Sequence, residues 1–398
     1  MDDTTTIIPH RLHLFSRRLF SRRRPIFLGS VLATLVLIPL LGLLGFDKAG
    51  EYVGLGRGLH IAHGFNNFPM RNDLIKAHNL LLLKGLGVMP GSTVLGGRDG
   101  WWFYPGELFY DSFIADTHLR ENPLAPEEVK QLSEALERLA TRLKAQGTTF
   151  LFVIAPDKQT VYPEHLPEDY GPLAVMNRRT QFLEYWRAHT ADASYMLDLT
   201  DEMRANKSKG QLYYKTDAHW NALGRDVAYH AIFDNLAARG VLDPAEKLGP
   251  PAMKEYRISG DMVSGLLGLG KLVKETALEG NVQYCSLEGQ PIGIYAHDGV
   301  PFSYHCLNAP QRNAVMFHDS FFFAANGLWQ YLSHHFSNAT AISHLGTNSF
   351  DNDSRPILPS IWQPKPDVVI IETVERCLRY TLQQIAAMPL PPEPHASP

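Results

Sequence analysis

Two short stretches hold residue types able to do chemistry together. "YYKTDAHWNALG", Tyr213 to Gly224, sets a carboxylate, Asp217, two residues before an imidazole, His219. "VMFHDSFFF", Val315 to Phe323, sets a hydroxyl, Ser320, at the expected end of an apolar strand. A serine hydroxyl is a weak nucleophile until an adjacent base takes its proton. That base must in turn be held in one tautomer by an acid. Asp217, His219 and Ser320 supply acid, base and nucleophile, and their chain order is no obstacle, since triads are defined by geometry. Plainer readings stand beside this one. Asp217 can cap a helix that begins at or just before His219, and Ser320 can cap the helix after its strand. Asp217 and His219 can also be part of a metal site. Such a site needs about three protein ligands, to which His318 and Asp319 are candidates to contribute.

These groups need a frame, and the pattern around them supplies one. "APEEVKQLSEALERLATRLKAQG" places Val129, Leu132, Leu136, Leu139 and Leu143 at three- and four-residue spacing, with Pro126 at its start and Gly147 at its end. It predicts a helix. Phe150–Ala155 reads as a short apolar strand bounded by Pro156, followed by a helix over about 173–189 and a strand near "SYMLDL". "NAVMFHDSFFFAANGLWQYLSHHF" reads as strand, sharp turn and helix, and "PDVVIIETVERCL" as a last strand running into a helix. Little periodicity is visible over 245–312. Strands alternating with helices predict an α/β layer on a mainly parallel sheet. Ser320 then stands at the carboxyl end of a strand, where such sheets bind ligands. The amino end of the next helix would offer N–H groups to a developing oxyanion, and the Phe321 amide is the candidate donor by position. "GGRDGWWFYPGE" reads as a turn followed by a strand. Trp101 and Trp102 there can stack on a sugar ring or belong to the core.

Composition limits the setting. With 45% hydrophobic and 20% charged residues the chain is of ordinary globular type. The net charge of -4 is uneven: residues 1–24 carry six arginines against two aspartates, leaving an acidic remainder. No long basic stripe follows, which argues against a nucleic-acid partner. After the basic head, "IFLGSVLATLVLIPLLGLLGF" runs 21 residues, Ile26 to Phe46, without a charge. At about 1.5 Å per residue that matches a bilayer core of roughly 30 Å. It is longer than a signal-peptide core, so the expectation is an uncleaved anchor with the arginines in the cytoplasm. The remainder would lie outside the inner membrane, in the periplasm. Cys285 and Cys306 can pair in such an oxidising compartment, whereas Cys377 in "VERCLRY" reads as a lone buried thiol. No cofactor or structural metal is indicated. The expected divisions are 1–25 cytoplasmic, 26–46 transmembrane, 47–89 linker, 90–385 catalytic domain and 386–398 proline-rich tail.

Five motifs in order, "GGRDGWWFY", "VIAPDKQTVYPEHLP", "YYKTDAHWNALG", "GDMVSGLLGL" and "HDSF", resemble the periplasmic alginate O-acetyltransferases of the AlgJ/AlgX type. The resemblance covers about residues 90–375. It implies an SGNH-hydrolase-like α/β/α sandwich with the D-x-H-W signature, whose catalytic acid and base fall on Asp217 and His219 and whose nucleophile falls on Ser320. It also implies a polysaccharide acceptor and a multi-pass membrane O-acyltransferase that hands acetyl groups outward. Arg98, Lys158 and Tyr162 lie in family-like segments and are candidate substrate or oxyanion contacts. Arg98 and Lys158 can hold an anionic sugar or an oxyanion, or make structural salt bridges. The separate glycine and asparagine of the ordinary SGNH oxyanion hole have no clear counterpart. The expected activity is acetyl transfer to an alginate-like or cellulose-like exopolysaccharide through an acetyl-serine. The alternatives are a carbohydrate acetylesterase with the same triad and a non-catalytic polysaccharide-binding subunit of an export complex.

Overall fold

The computed structural model describes residues 71–90, 94–103, 123–167, 177–280, 282, 285, 287–288, 302–322, 327–343 and 362–391. The chain divides into two compact units between residues 78 and 79. The first is described only over 71–78, within helix α1, Arg71–Leu80. The anchor expected over 26–46, the basic segment before it and the end of the proline-rich tail lie outside the described residues. Among the described residues, no helix is long and apolar enough to cross a membrane.

The second unit is layered. Its strands are β1 Leu95–Gly96, β2 Trp102–Phe103, β3 Thr149–Ala155, β4 Met196–Asp198, β5 Lys254–Ile258, β6 Glu275–Glu279, β7 Leu287–Glu288, β8 Phe302–Cys306, β9 Asn313–His318, β10 Asn338–Ser343 and β11 Val368–Val374. Its helices are α2 Pro126–Ala145, α3 Lys158–Val161, α4 Arg178–His189, α5 Thr200–Ala205, α6 Ala222–Ala238, α7 Leu328–Leu332 and α8 Leu378–Ala387. One sheet has the order β4-β3-β11-β9-β10-β8-β7. From β4 to β10 neighbours run parallel, and β8 and β7 add an antiparallel edge.

Alternation along the central strands builds two cores. Leu151, Val153 and Ala155 of β3 face one side with Met316, Val368 and Ile370, under α6 and α7. Phe150, Phe152 and Ile154 face the other with Val315, Phe317, Val369 and Ile371, under α2, α4 and α8. Successive strand residues point to opposite faces, so a strand covered on both sides reads as one apolar run. Each large side chain fully buried there contributes about 1.5–3 kcal/mol. Helix α2 forms where expected: Pro126 opens it, Glu127 and Glu128 lie in its first turn, and Gly147 follows its end at φ 71. Helix α4 starts at Arg178, because Asn177 and Thr180 form a reciprocal capping box before it.

Two expected boundaries move. Helix α6 begins at Ala222 rather than at His219, because the Asn221 side chain accepts the Leu223 and Gly224 N–H groups. Asn221 is the cap, so Asp217 is not. Ser320 to Phe322 form a turn, and the next helix among the described residues, α7, begins at Leu328 after Gly327. The capping readings of Asp217 and Ser320 are thereby corrected. The unreadable span 245–312 contains the antiparallel pair β5–β6 and the strands β7 and β8. Lys254, Glu255, Tyr256 and Arg257 of β5 are all exposed, which leaves no alternation to read.

Candidate active site

Residues 213–220 form a loop closed by an antiparallel bridge between Tyr213 and Trp220, both fully buried. The loop presents Asp217 and His219 to the turn after β9. The His219 Nδ1–H donates to Asp217 Oδ1 at 2.7 Å, and the Ser320 hydroxyl donates to His219 Nε2 at 2.9 Å. Nearly covered groups, Asp217 and His219 at 15% side-chain exposure each, thus point an exposed serine outward. Asp217 Oδ1 also accepts the His219 backbone N–H at 3.0 Å. Burial works to raise the Asp217 pKa, but the hydrogen bond and charge of His219 outweigh it and take it down to about 2. Burial likewise works to lower His219, and the hydrogen bond it donates to Asp217 and the charges of Asp217 and Asp261 reverse it to a net rise. An imidazole so placed is set to take a proton at Nε2 and hold it.

Opposite polarities brace the loop from two sides. The Lys158 ammonium, at the start of α3, donates to the carbonyls of Tyr214 (3.1 Å), Lys215 (3.0 Å) and Asp217 (2.7 Å). The Glu275 carboxylate on β6 accepts the N–H groups of Lys215 and Thr216, each at 2.6 Å, and the Thr216 hydroxyl. Buried polar backbone must find such partners. A charged partner strengthens each bond.

Several residues expected at the site do other work. Lys158 is buried and committed to three carbonyls, which corrects its reading as a holder of an anionic sugar or oxyanion. Tyr162 is buried, and its hydroxyl accepts the Leu212 N–H at 2.9 Å. Trp101 is core: its ring packs against those of Tyr162 and His165, with centroids at 4.4 and 4.6 Å. Both are therefore corrected as substrate contacts. Arg98 is exposed on the turn Arg98–Gly100. The Phe321 amide donates to Asp319 Oδ1 at 2.8 Å, so it is not open to an oxyanion in this structure. Its ring instead backs His219 at 4.9 Å and Trp220 at 5.0 Å. The second oxygen of Asp319 accepts the Val374 N–H at 2.6 Å, tying the serine turn to the end of β11. His318 is buried against Phe322, and burial takes its pKa down to about 4, so it stands neutral. Cys285 and Cys306 are bonded, with Cα atoms 5.9 Å apart, and Cys377 is a buried free thiol.

Besides Glu275, one more group at the site was not singled out from sequence. Asp261, inside "GDMVSGLLGL", brings its carboxylate beside Asp217 and His219. The three lie close enough to face one ion. Their oxygens are largely occupied by N–H donors, however: both of Asp217 and one of Asp261. The arrangement is a hydrogen-bonded cluster.

Burial takes the Lys158 pKa from 10.5 down to about 8. Between those values the unfolded chain binds more protons than the folded one, so this residue makes stability rise with pH. Against a Lys158→Met reference, the wild-type chain is expected to gain on the order of 3 kcal/mol across that window. Urea unfolding of both proteins at the two ends of the window checks it, and a constant difference would refute it.

Residues 94–288 match the family of the SGNH hydrolase-like domain of acetyltransferase AlgX. That segment is of the AlgJ/AlgX type. The chain's mostly parallel sheet between helical layers is the SGNH-like α/β fold. The matched segment contains Asp217 and His219 and ends before Ser320. The probable alginate O-acetylase AlgJ of Pseudomonas syringae pv. tomato is 26% identical over 175 residues, covering 44% of this chain and 41% of that protein. The probable alginate O-acetylase AlgJ of Azotobacter vinelandii is 28% identical over 223 residues, covering 54% and 52%. The chain thus spans about half or less of these AlgJ-type relatives. The solved O-acetyltransferase domain of Pseudomonas putida AlgJ is 19% identical, with a TM-score of 0.44, covering 74% of this chain and 98% of that domain.

Proposed function

We propose that the chain is an O-acetyltransferase that acetylates hydroxyls of an exopolysaccharide through an acetyl-serine on Ser320. The observation that carries this reading is the hydrogen-bonded line from Asp217 Oδ1 through His219 to Ser320 Oγ, at 2.7 and 2.9 Å. His219 Nε2 takes the hydroxyl proton as Oγ bonds to the acetyl carbonyl carbon of the donor. The tetrahedral adduct collapses, and Nε2 returns the proton to the leaving group. A sugar hydroxyl then gives its proton to Nε2 and attacks the acetyl carbon, and the proton passes to Ser320 Oγ as it departs. Asp217 stays ionised throughout and holds the imidazolium in both half-reactions. The relatives named probable alginate O-acetylases support an alginate-like acceptor.

In this reading the apolar run Ile26–Phe46 anchors the chain in the inner membrane, with 1–25 in the cytoplasm and the catalytic domain in the periplasm. The anchor keeps Ser320 beside a multi-pass O-acyltransferase that passes acetyl groups across the bilayer. In cells carrying Ser320→Ala, the secreted polysaccharide is expected to lose its acetyl groups. Wild-type acetyl content there rejects the transferase. Acetyl content above wild type marks an esterase instead.

A further inference from the structure

Asp261 makes contacts to three consecutive residues of the loop that carries the acid and base. Its N–H donates to Asp217 Oδ2 at 2.7 Å, and its Oδ1 accepts the Ala218 N–H at 3.0 Å. Its Oδ2 stands 3.7 Å from His219 Nδ1. Gly260 makes this approach feasible: a Cβ there would lie 2.1 Å from the Thr216 carbonyl oxygen and 2.7 Å from the Asp217 nitrogen. We propose that Asp261 is a positioning residue, locking Asp217 against His219 and setting a second negative charge at the Nδ1 edge of the imidazole. The proposal rests on the triad reading of Ser320.

Each oxygen of Asp217 has its own donors. Oδ1 takes both His219 N–H groups, and Oδ2 takes that of Asp261. Turning the carboxylate away from His219 would break both sets, so Asp261 fixes the plane in which the ring is held. When the ring gains the Ser320 proton, its new charge faces two carboxylates. The groups facing it are Asp217 and Asp261, which favour that charge, and Arg376, which opposes it. Asp261 itself faces Asp217, His219 and Lys158. The carboxylates are nearest the ring nitrogen, so their sign prevails. Two unit charges about 4 Å apart interact appreciably even in a solvated site.

Asp261→Asn keeps the Ala218 acceptor and the backbone N–H, and removes only the charge. The rate at which phenylmethylsulfonyl fluoride labels the full chain in detergent follows the neutral form of His219. In Asp261→Asn the pH midpoint of that rate is expected to fall by roughly one unit. Asp261→Ala, which also loses the Ala218 bond, is expected to show the same shift and a lower plateau. A wild-type midpoint in Asp261→Asn overturns the proposal, even if the melting temperature drops, since a purely structural role would not move the midpoint. Labelling that survives Ser320→Ala overturns the triad reading instead, so the two failures are distinguishable.

Discussion

His219→Ala is expected to slow acylation of Ser320 by about 10²–10⁴-fold while leaving the fold intact. The ring makes its two side-chain hydrogen bonds to Asp217 and Ser320, so among the described residues its removal takes a hydrogen bond from no other group. The Asp217 carboxylate keeps the N–H of residue 219 and that of Asp261, which limits the structural cost. The serine, by contrast, loses the acceptor for its proton. The double variant His219→Ala/Ser320→Ala should be hardly slower than Ser320→Ala alone, because residues acting as one unit are not additive. Release of p-nitrophenol from p-nitrophenyl acetate measures both. Additive losses would mean that His219 and Ser320 act independently.

Arg376→Met is expected to cost about 3–5 kcal/mol of stability, the largest such loss among the ion pairs described. Arg376 pairs through its guanidinium with Asp157, and its backbone N–H donates to the same carboxylate at 3.1 Å. The two side chains are 11% and 2% exposed. The Asp157 N–H donates to Glu375 Oε2 at 3.1 Å, and Glu375 pairs with Arg179, which pairs with Asp198. Removing the guanidinium strands a charge in this chain of groups. Replacing both members, Arg376→Met/Asp157→Asn, should recover more than half of the loss. Chemical unfolding of the three variants decides it, and a loss below about 1 kcal/mol would place the pair among weak surface bridges. Arg376 also covers the Phe321 ring at 5.4 Å, so the turn after Ser320 should loosen with it.

The sheet was legible because β3, β9 and β11 are covered on both faces and therefore appear as unbroken apolar runs. Helix α2 was legible because one of its faces alone is buried. The hairpin β5–β6 was not, since β5 exposes both faces. At the site, Asp217, His219 and Ser320 were legible as residue types able to act together. Their supports were not. Lys158, Asp261 and Glu275 reach the loop from 59, 44 and 60 residues away, and no local pattern encodes such contacts. The misassignments share one cause. Lys158, Tyr162, Trp101 and Phe321 have chemically capable groups, but burial and backbone partners consume that capacity. Whether a lysine greets a substrate or a carbonyl is decided by what the fold packs over it.

The acetyl-serine itself is the most direct test. The purified chain is mixed with an activated acetyl ester, quenched in acid within the first turnover, digested and analysed by mass spectrometry. The account predicts acetyl on the peptide carrying Ser320, absent from Ser320→Ala, and lost when a polysaccharide acceptor is added before the quench. Acetyl on another residue, or acetylated acceptor with no acetyl ever on Ser320 at any quench time, would contradict it.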